Sequence, residues 1–310
     1  MSETMDVRHQ MFKFAYGHEA DGTDSAMLAA YVPAEQTPMA LRAMIAAFDR
    51  QSHPTPISVR FDGSELISRE WNGIKLWLDR ADVAVSTEIL LKGSYEPHMT
   101  SFVREHVHEG MTVVDIGANI GIFTMLAASQ GAKVLAFEPN TENCRLILLN
   151  KEANGFDSVM LYPVALSNKS GALFFSPHMG SNGGVLPNQI ETLSNPNCIV
   201  VPAMRLDDLI AGPVHFIKAD IEGAEYLALK GGERIIREHK PIITIELSME
   251  MAKRVSDIDG IEFIRWILSF GYRGFVMGRT GQKSEIVNLD AFAKEWGNPL
   301  RIEDLAFLPT

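Results

Sequence analysis

Val113-Val114-Asp115-Ile116-Gly117-Ala118-Asn119-Ile120-Gly121 is an apolar run that breaks into a glycine turn and resumes with helical spacing through Phe123 to Ala128. A short strand without polar alternation reads as one buried on both faces, and the strand-turn-helix sequence is that of a nucleotide-binding turn in an α/β sheet. In a dinucleotide turn, the G-x-G-x-x-G spacing counted from Gly117 requires glycine at 119 and 122, where this chain has Asn119 and Ile122. Asp115, at the strand tip, would repel a diphosphate and attract a positively charged ligand.

The second half of the signal is Glu138, at the end of the next apolar run and 23 residues after Asp115. That is close to the offset of ~20 residues at which a carboxylate accepts from both hydroxyls of a ribose. An acid for the diol and an acid for a cationic tail together specify an adenosyl cofactor bearing an ammonium and a sulfonium, S-adenosylmethionine.

Working outward, strand, turn and helix patterns alternate after Gly110. This predicts an α/β fold with a doubly wound, mostly parallel sheet. Its candidate strands are Thr112 to Ile116, Lys133 to Phe137, Val159 to Pro163, Val214 to Ala219 and Ile242 to Glu246, with Tyr272 to Met277 and Leu305 to Leu308 as further strands. Residues 167–208 read as an insertion with β-prone ends, Ala172 to Phe175 and Ile199 to Met204, around a Gly/Asn/Pro-rich loop. Upstream, Ile57 to Phe61, Leu66 to Trp71 and Ile74 to Leu78 form an antiparallel meander, and Phe102 to His108 is helical up to Gly110. Met39 to Arg50 has apolar residues at helical spacing. The expected organisation is an α+β extension, 1–56 and 57–109, ahead of a cofactor-binding domain over 110–310.

The chain has 310 residues, 46% of them hydrophobic and 22% charged, which fits a folded globular protein of one catalytic domain plus an appended region. A net charge of −11 argues against a nucleic-acid partner, since phosphate binding draws on Lys and Arg. Cys144 and Cys198 stand far apart without C-x-x-C spacing, so neither a disulfide framework nor a zinc site is expected, and a reducing, cytoplasmic setting fits. No signal-like start and no membrane-length apolar run is visible. The N-terminal region is expected to shape the acceptor site or to make a homo-oligomer contact.

Several ordered segments resemble the FkbM-type methyltransferases. They are Tyr95-Glu96-Pro97, Asp115 to Gly121 with Thr124, Ala136 to Asn140, Leu206-Asp207-Asp208 and Ile217 to Glu225, with a weaker echo at Asp304 to Pro309. The resemblance covers roughly 74–250 and leaves the first 70 residues unmatched. It implies a class I methyltransferase fold and O-methylation of a hydroxyl, often on a sugar or secondary metabolite. It also implies that Asp115, Gly117, Asn119 and Gly121 hold the methionine end of the cofactor and Glu138 the ribose. Glu96 and Thr124 belong to the same motifs. Asn140 and Asn143 flank the nucleoside, with Ala165 and Leu166 near the adenine; Asn143 can equally be a helix-surface residue.

Ligands of open α/β sheets sit beyond the carboxyl ends of the strands, so the catalytic group is sought there. Lys218, Asp220 and Glu222 would face one side of an extended segment, with Glu246 at the next tip. Transfer of a methyl group to an alcohol needs the hydroxyl proton removed, and Asp220 and Glu222 are the leading bases, with Glu246 and His178 as alternatives. Glu222 and Glu225 can instead favour the positive start of the next helix, and His178 can be loop surface. Asp220, Glu222 and Glu246 also permit a divalent cation, which no paired His ligands support. Met179 to Gly184 can form a lid with Ser and Asn facing a hydroxylated acceptor, or an inert loop. Trp71, Trp77 and Tyr95 offer faces for a sugar, although a core role suits the tryptophans better. The reading is an O-methyltransferase of a carbohydrate, glycoside or related small-molecule acceptor. An N-methyltransferase is the alternative, and a nicotinamide-dependent oxidoreductase or an inactive binding module would be the remaining classes.

Overall fold

The computed structural model describes residues 58–61, 64–80, 82, 84–177, 181–186, 198–298 and 301–310. The helix expected over Met39 to Arg50, His178 and all of residues 187–197 lie outside these. The meander is β1 (Ser58–Phe61), β2 (Ser64–Trp71) and β3 (Ile74–Asp79), antiparallel in that order. Two helices follow, α1 (Val85–Lys92) and α2 (Pro97–His106). The first was not anticipated, because its short, weakly amphipathic sequence carries little periodic signal. The second starts five residues before its expected start, with Pro97 at its first turn, where a missing N–H costs nothing.

The central sheet begins with β4 (Thr112–Ile116), α3 (Ile122–Ser129), β5 (Lys133–Phe137), α4 (Thr141–Asn154) and β6 (Val159–Tyr162). The insertion supplies β7 (Ala165–Leu166), β8 (Gly171–Pro177), β9 (Gly183–Val185) and β10 (Ile199–Met204), which pair as a separate sheet in the order β7-β10-β8-β9. The end of the expected lid, Gly183 and Gly184, is therefore part of β9, a strand paired to β8. The chain then returns through α5 (Leu206–Leu209), β11 (Phe216–Ala219), α6 (Glu225–Lys230), α7 (Glu233–His239), β12 (Ile242–Ser248), α8 (Met249–Ser256), α9 (Gly260–Leu268), β13 (Tyr272–Met277), β14 (Lys283–Glu285), α10 (Leu289–Trp296) and β15 (Ile302–Pro309).

The main sheet has the order β14-β13-β15-β12-β11-β4-β5-β6. β12, β11, β4, β5 and β6 are mutually parallel, and β15 is inserted antiparallel between β12 and β13. This is the doubly wound α/β architecture expected. Strand residues alternate between two cores: Val114, Ile217 and Ile243 pack with α6, α7 and α9, while Val113, Phe216 and Ala306 pack with α2 and α3. Each large side chain removed from water contributes ~1.5–3 kcal/mol, so a sheet buried on both faces accounts for the continuous apolar strands.

The meander is fastened to this sheet through α4. Asn154 Oδ1 accepts the Lys75 N–H at 2.8 Å and Asn150 Oδ1 the Trp77 N–H at 2.6 Å, so two asparagines stand in for a neighbouring strand along β3. Asn150 Nδ2 also donates to the Ile120 carbonyl at 3.1 Å, tying the meander to the glycine turn. Trp71 and Trp77 are core residues, 4% and 2% exposed.

Candidate functional site

The chain order reverses between β4 and β11, and the carboxyl ends of β4, β5, β11 and β12 open there into a cleft continuous with solvent. Its polar wall follows from the two-residue period of the strands. Asp115 and Lys218 are cross-strand partners, as are Glu246 and Asp304. All four lie on the face that packs α2 and α3, two residues along from Val113, Phe216, Thr244 and Ala306 respectively.

Asp115 is 2% exposed; its Oδ2 accepts from Thr124 Oγ1 at 2.6 Å, and its buried Oδ1 has no hydrogen-bond partner. Burial raises its pKa, with Lys218 pulling the other way. A buried lone pair of a carboxylate is costly to leave unmatched, so it points to a donor or cation supplied by a ligand. Gly117 has φ 76°, and a Cβ there would collide with the Asp220 carbonyl and stand 2.5 Å from Ile221 Cγ2. The turn is thus pressed against the tip of β11, which only glycine permits.

Glu138 Oε1 accepts the Asn140 N–H at 2.8 Å and Oε2 the Asn119 N–H at 2.9 Å. Burial pushes this carboxyl up to about 7 against the pull of those donors. Asn119, itself at φ 54°, donates from Nδ2 to the Ser181 carbonyl at 3.3 Å and to Asn182 Oδ1 at 3.2 Å, and Asn143 Nδ2 donates to the same Ser181 carbonyl at 2.8 Å. Asn143 is therefore buried in the cleft wall, not on the helix surface.

On the other side, Lys218 Nζ donates to Asp220 Oδ2 at 2.9 Å and lies 4.9 Å over the Phe123 ring. Burial pulls this ammonium's pKa down, but Asp220, Asp115 and Glu96 outweigh it and hold the group above its ordinary value. Burial, then Asp220, pushes Glu96 up to about 7. Burial, then Asp220 and Asp304, pushes Glu246 up to about 9. His98 Nε2 and Asp304 Oδ2 are 2.6 Å apart, joining α2 to β15 behind these acids.

Of the residues expected at the site, Glu96, Asp115, Gly117, Asn119, Glu138, Asn143, Ala165, Leu166, Asp220, Glu222 and Glu246 line the cleft. Gly121, Thr124 and Asn140 do not. Gly121 starts α3 at φ 90°, Thr124 is fully buried beneath Asp115, and Asn140 caps α4 by accepting the Glu142 N–H at 3.1 Å. Their roles are to hold the turn, the acid and the helix that the cleft is built from. The extended alignment expected for Lys218, Asp220 and Glu222 breaks at Glu222, where φ of 56° turns the chain after the strand has ended. Glu225 Oε1 accepts the N–H groups of Ile221 and Gly223, so this acid braces that turn. His178 lies outside the described residues. Among the described residues, no group of three or more His, Cys, Asp or Glu is arranged to hold a metal, and no helix is long and apolar enough to cross a membrane.

The cleft is also lined by Lys218, expected beside Asp220, by Ser181 and Asn182, expected in the lid, and by Phe123, while His98, Asp304 and Asp82 lie behind it; Phe123, His98 and Asp82 have no assigned part in the sequence reading. Ser181 and Asn182 sit in the glycine-rich segment, and Asp304 in the weak C-terminal echo. Asp82 carries no signal at all.

Residues 115–274, over half of the chain, match the Methyltransferase FkbM domain, which spans the motifs from Asp115 to Glu225 but neither Glu96 nor Asp304. The chain belongs to the FkbM methyltransferase family. A comparison with curated proteins gave no match. Among solved structures, this FkbM chain is similar to the methyltransferase FkbM of Methylobacillus flagellatus, with 19% identity, 67% of this chain and 50% of that one covered, and a TM-score of 0.42. It is also similar to Trm5b of Pyrococcus abyssi (17% identity, 80% and 56% covered, TM-score 0.42) and to an rRNA methylase of Streptococcus thermophilus (13%, 70% and 97%, TM-score 0.41). The chain thus spans about half the length of the first two.

Proposed function

We propose that this FkbM methyltransferase uses S-adenosylmethionine to methylate a hydroxyl group of a carbohydrate, glycoside or related polyhydroxy metabolite. The observation that carries the cofactor is the pair of buried acids at adjacent strand tips: Asp115 with its unmatched Oδ1, and Glu138 held by two backbone N–H groups. Asp115, Gly117 and Asn119 would hold the methionine end, Glu138 the ribose, and Asn143, Ala165 and Leu166 the nucleoside. When bound, the cofactor supplies an electrophilic methyl group on a sulfonium.

In this reading residues 110–310 form the catalytic domain, and the acceptor enters over Glu96, Asp220, Glu222 and Glu246. Asp220 is the proton acceptor in this reading: its carboxylate belongs to a cleft-lining residue and is held in place by Lys218 Nζ at 2.9 Å. Glu246, pushed up to about 9, keeps its proton at neutral pH and donates a hydrogen bond that orients an acceptor oxygen. The excess of carboxylates over the single Lys218 in the cleft favours N-methylation of an amine as the second reading.

The test is calorimetric binding of S-adenosylmethionine, S-adenosylhomocysteine and NAD to the wild type and to Glu138→Ala, followed by labelled-methyl transfer to panels of glycosides and aminoglycosides. Binding of only the two sulfur compounds, weakened in the variant, with label on neutral glycosides is the expected result. NAD binding without either sulfur compound would overturn the cofactor, and label confined to amines would replace O- by N-methylation.

A further inference from the structure

Ser181 is 5% exposed, lines the cleft, and its Oγ has no hydrogen-bond partner. Its backbone, by contrast, is held on both sides. The Ser181 N–H donates to Asp82 Oδ1 at 2.9 Å, and its carbonyl accepts from Asn143 Nδ2 at 2.8 Å and Asn119 Nδ2 at 3.3 Å. Asp82 is 3% exposed and also accepts the N–H groups of Ala84 at 3.0 Å and Ser86 at 2.8 Å, so its carboxylate joins the start of α1 to the tip of the second sheet. Gly183 next door packs on the Phe175 ring, whose Cε1 would stand 2.8 Å from a Cβ. Phe175 clusters with Ala165, Val201 and Val185.

We infer that the Ser181–Val185 tip is a built wall of the nucleoside half of the cleft, with the Ser181 hydroxyl as a direct contact to the adenosyl group and Asp82 as the residue that positions it. A backbone whose N–H and carbonyl are both held by buried side chains is not a free loop, and the side-chain group left unmatched there is the buried hydroxyl of a serine that lines the cleft. Asn143 and Asn119 hold its carbonyl, Asn119 also donates its N–H to Glu138, and the apolar Ala165 and Phe175 line the same cleft. A polar edge next to an apolar slot is what a purine nucleoside requires. The inference rests on the cofactor reading above and adds to it a ligand residue from the insertion.

The experiment uses the full chain, S-adenosylhomocysteine, and adenosine as the probe for the nucleoside half alone. Ser181→Ala removes only the unmatched hydroxyl; it should weaken both ligands by the same factor, about three- to tenfold for one hydrogen bond, with the melting temperature unchanged. Asp82→Asn should speed dissociation of S-adenosylhomocysteine and raise hydrogen exchange across 181–186 in the free protein. In the wild type, adenosine alone should protect those amides. Equal affinity of Ser181→Ala and wild type for both ligands, or no protection of 181–186 by either, overturns the inference while wild-type binding leaves the cofactor reading intact. A wild type that binds neither ligand overturns both.

Discussion

Replacing Gly117 by alanine isolates the closest approach in the site. Two costs are readable from the structure. The residue sits at φ 76°, and an L side chain in the left-handed region costs ~1–2 kcal/mol. The new Cβ would also meet the Asp220 carbonyl oxygen inside contact distance and Ile221 Cγ2 at 2.5 Å. A backbone carbonyl cannot rotate away as a side-chain end can, so the strand tip or the turn must shift, at ~1–3 kcal/mol by analogy with overpacked cores. The expected destabilisation is therefore roughly 2–5 kcal/mol. Gly155→Ala supplies the control: it has φ 65° at the end of α4 and nothing within 4 Å of a Cβ, so only the first cost applies. Urea unfolding of both variants, with unchanged m-values, reads the steric cost as their difference, and calorimetry should show S-adenosylhomocysteine binding weakened at least ~10-fold in Gly117→Ala alone. If the two variants lose the same stability and bind alike, the turn is not pressed against the β11 tip and the account of the cleft fails.

Three further outcomes are expected. Thr124→Val, nearly the same shape, removes the buried hydrogen bond to Asp115 and should cost ~1.5–3 kcal/mol in denaturant unfolding together with cofactor affinity; a neutral result would mean that Lys218 alone stabilises the acid. Glu138 and Glu96 are raised to about 7 and Glu246 to about 9, so in the unfolded chain they lose their protons at lower pH than in the fold. Their contribution to stability is present below the unfolded value and is lost as pH rises through 7 and then 9, so the melting temperature of the free protein should fall over that range. S-adenosylmethionine should offset the fall, raising the melting temperature more at high pH than at low; a cofactor-induced rise independent of pH would contradict the charge assignment. Asp304→Asn takes away the partner that raises the His98 pKa and one of the charges that raises Glu246; NMR titration should find the His98 pKa lowered, and an unchanged value would show the pair to be uncoupled.

The sequence determined the parts whose cause is local. β4 and β5 lie at the residues their apolar runs marked, because a strand buried on both faces must be largely apolar and the flanking turns end it. That Asp115, Gly117, Asn119 and Glu138 belong together was legible because a tight turn after a buried strand constrains residue types at fixed spacing, and the four line one cleft. What pairs across the fold was not legible. β15 reaches Glu246 with Asp304 only because the last strand inserts between β12 and β13, and His98 meets Asp304 across 206 positions of chain. Thr124, expected among the cofactor residues, donates to Asp115 from below and does not line the cleft, because helix α3 turns it inward. Asp82 and Ser181, 99 residues apart, meet through one hydrogen bond that no spacing announces, since a single polar residue in a loop carries no period. Local chemistry selects which residues can serve a ligand; the sheet order decides which of them share a cleft and how far burial moves their protons.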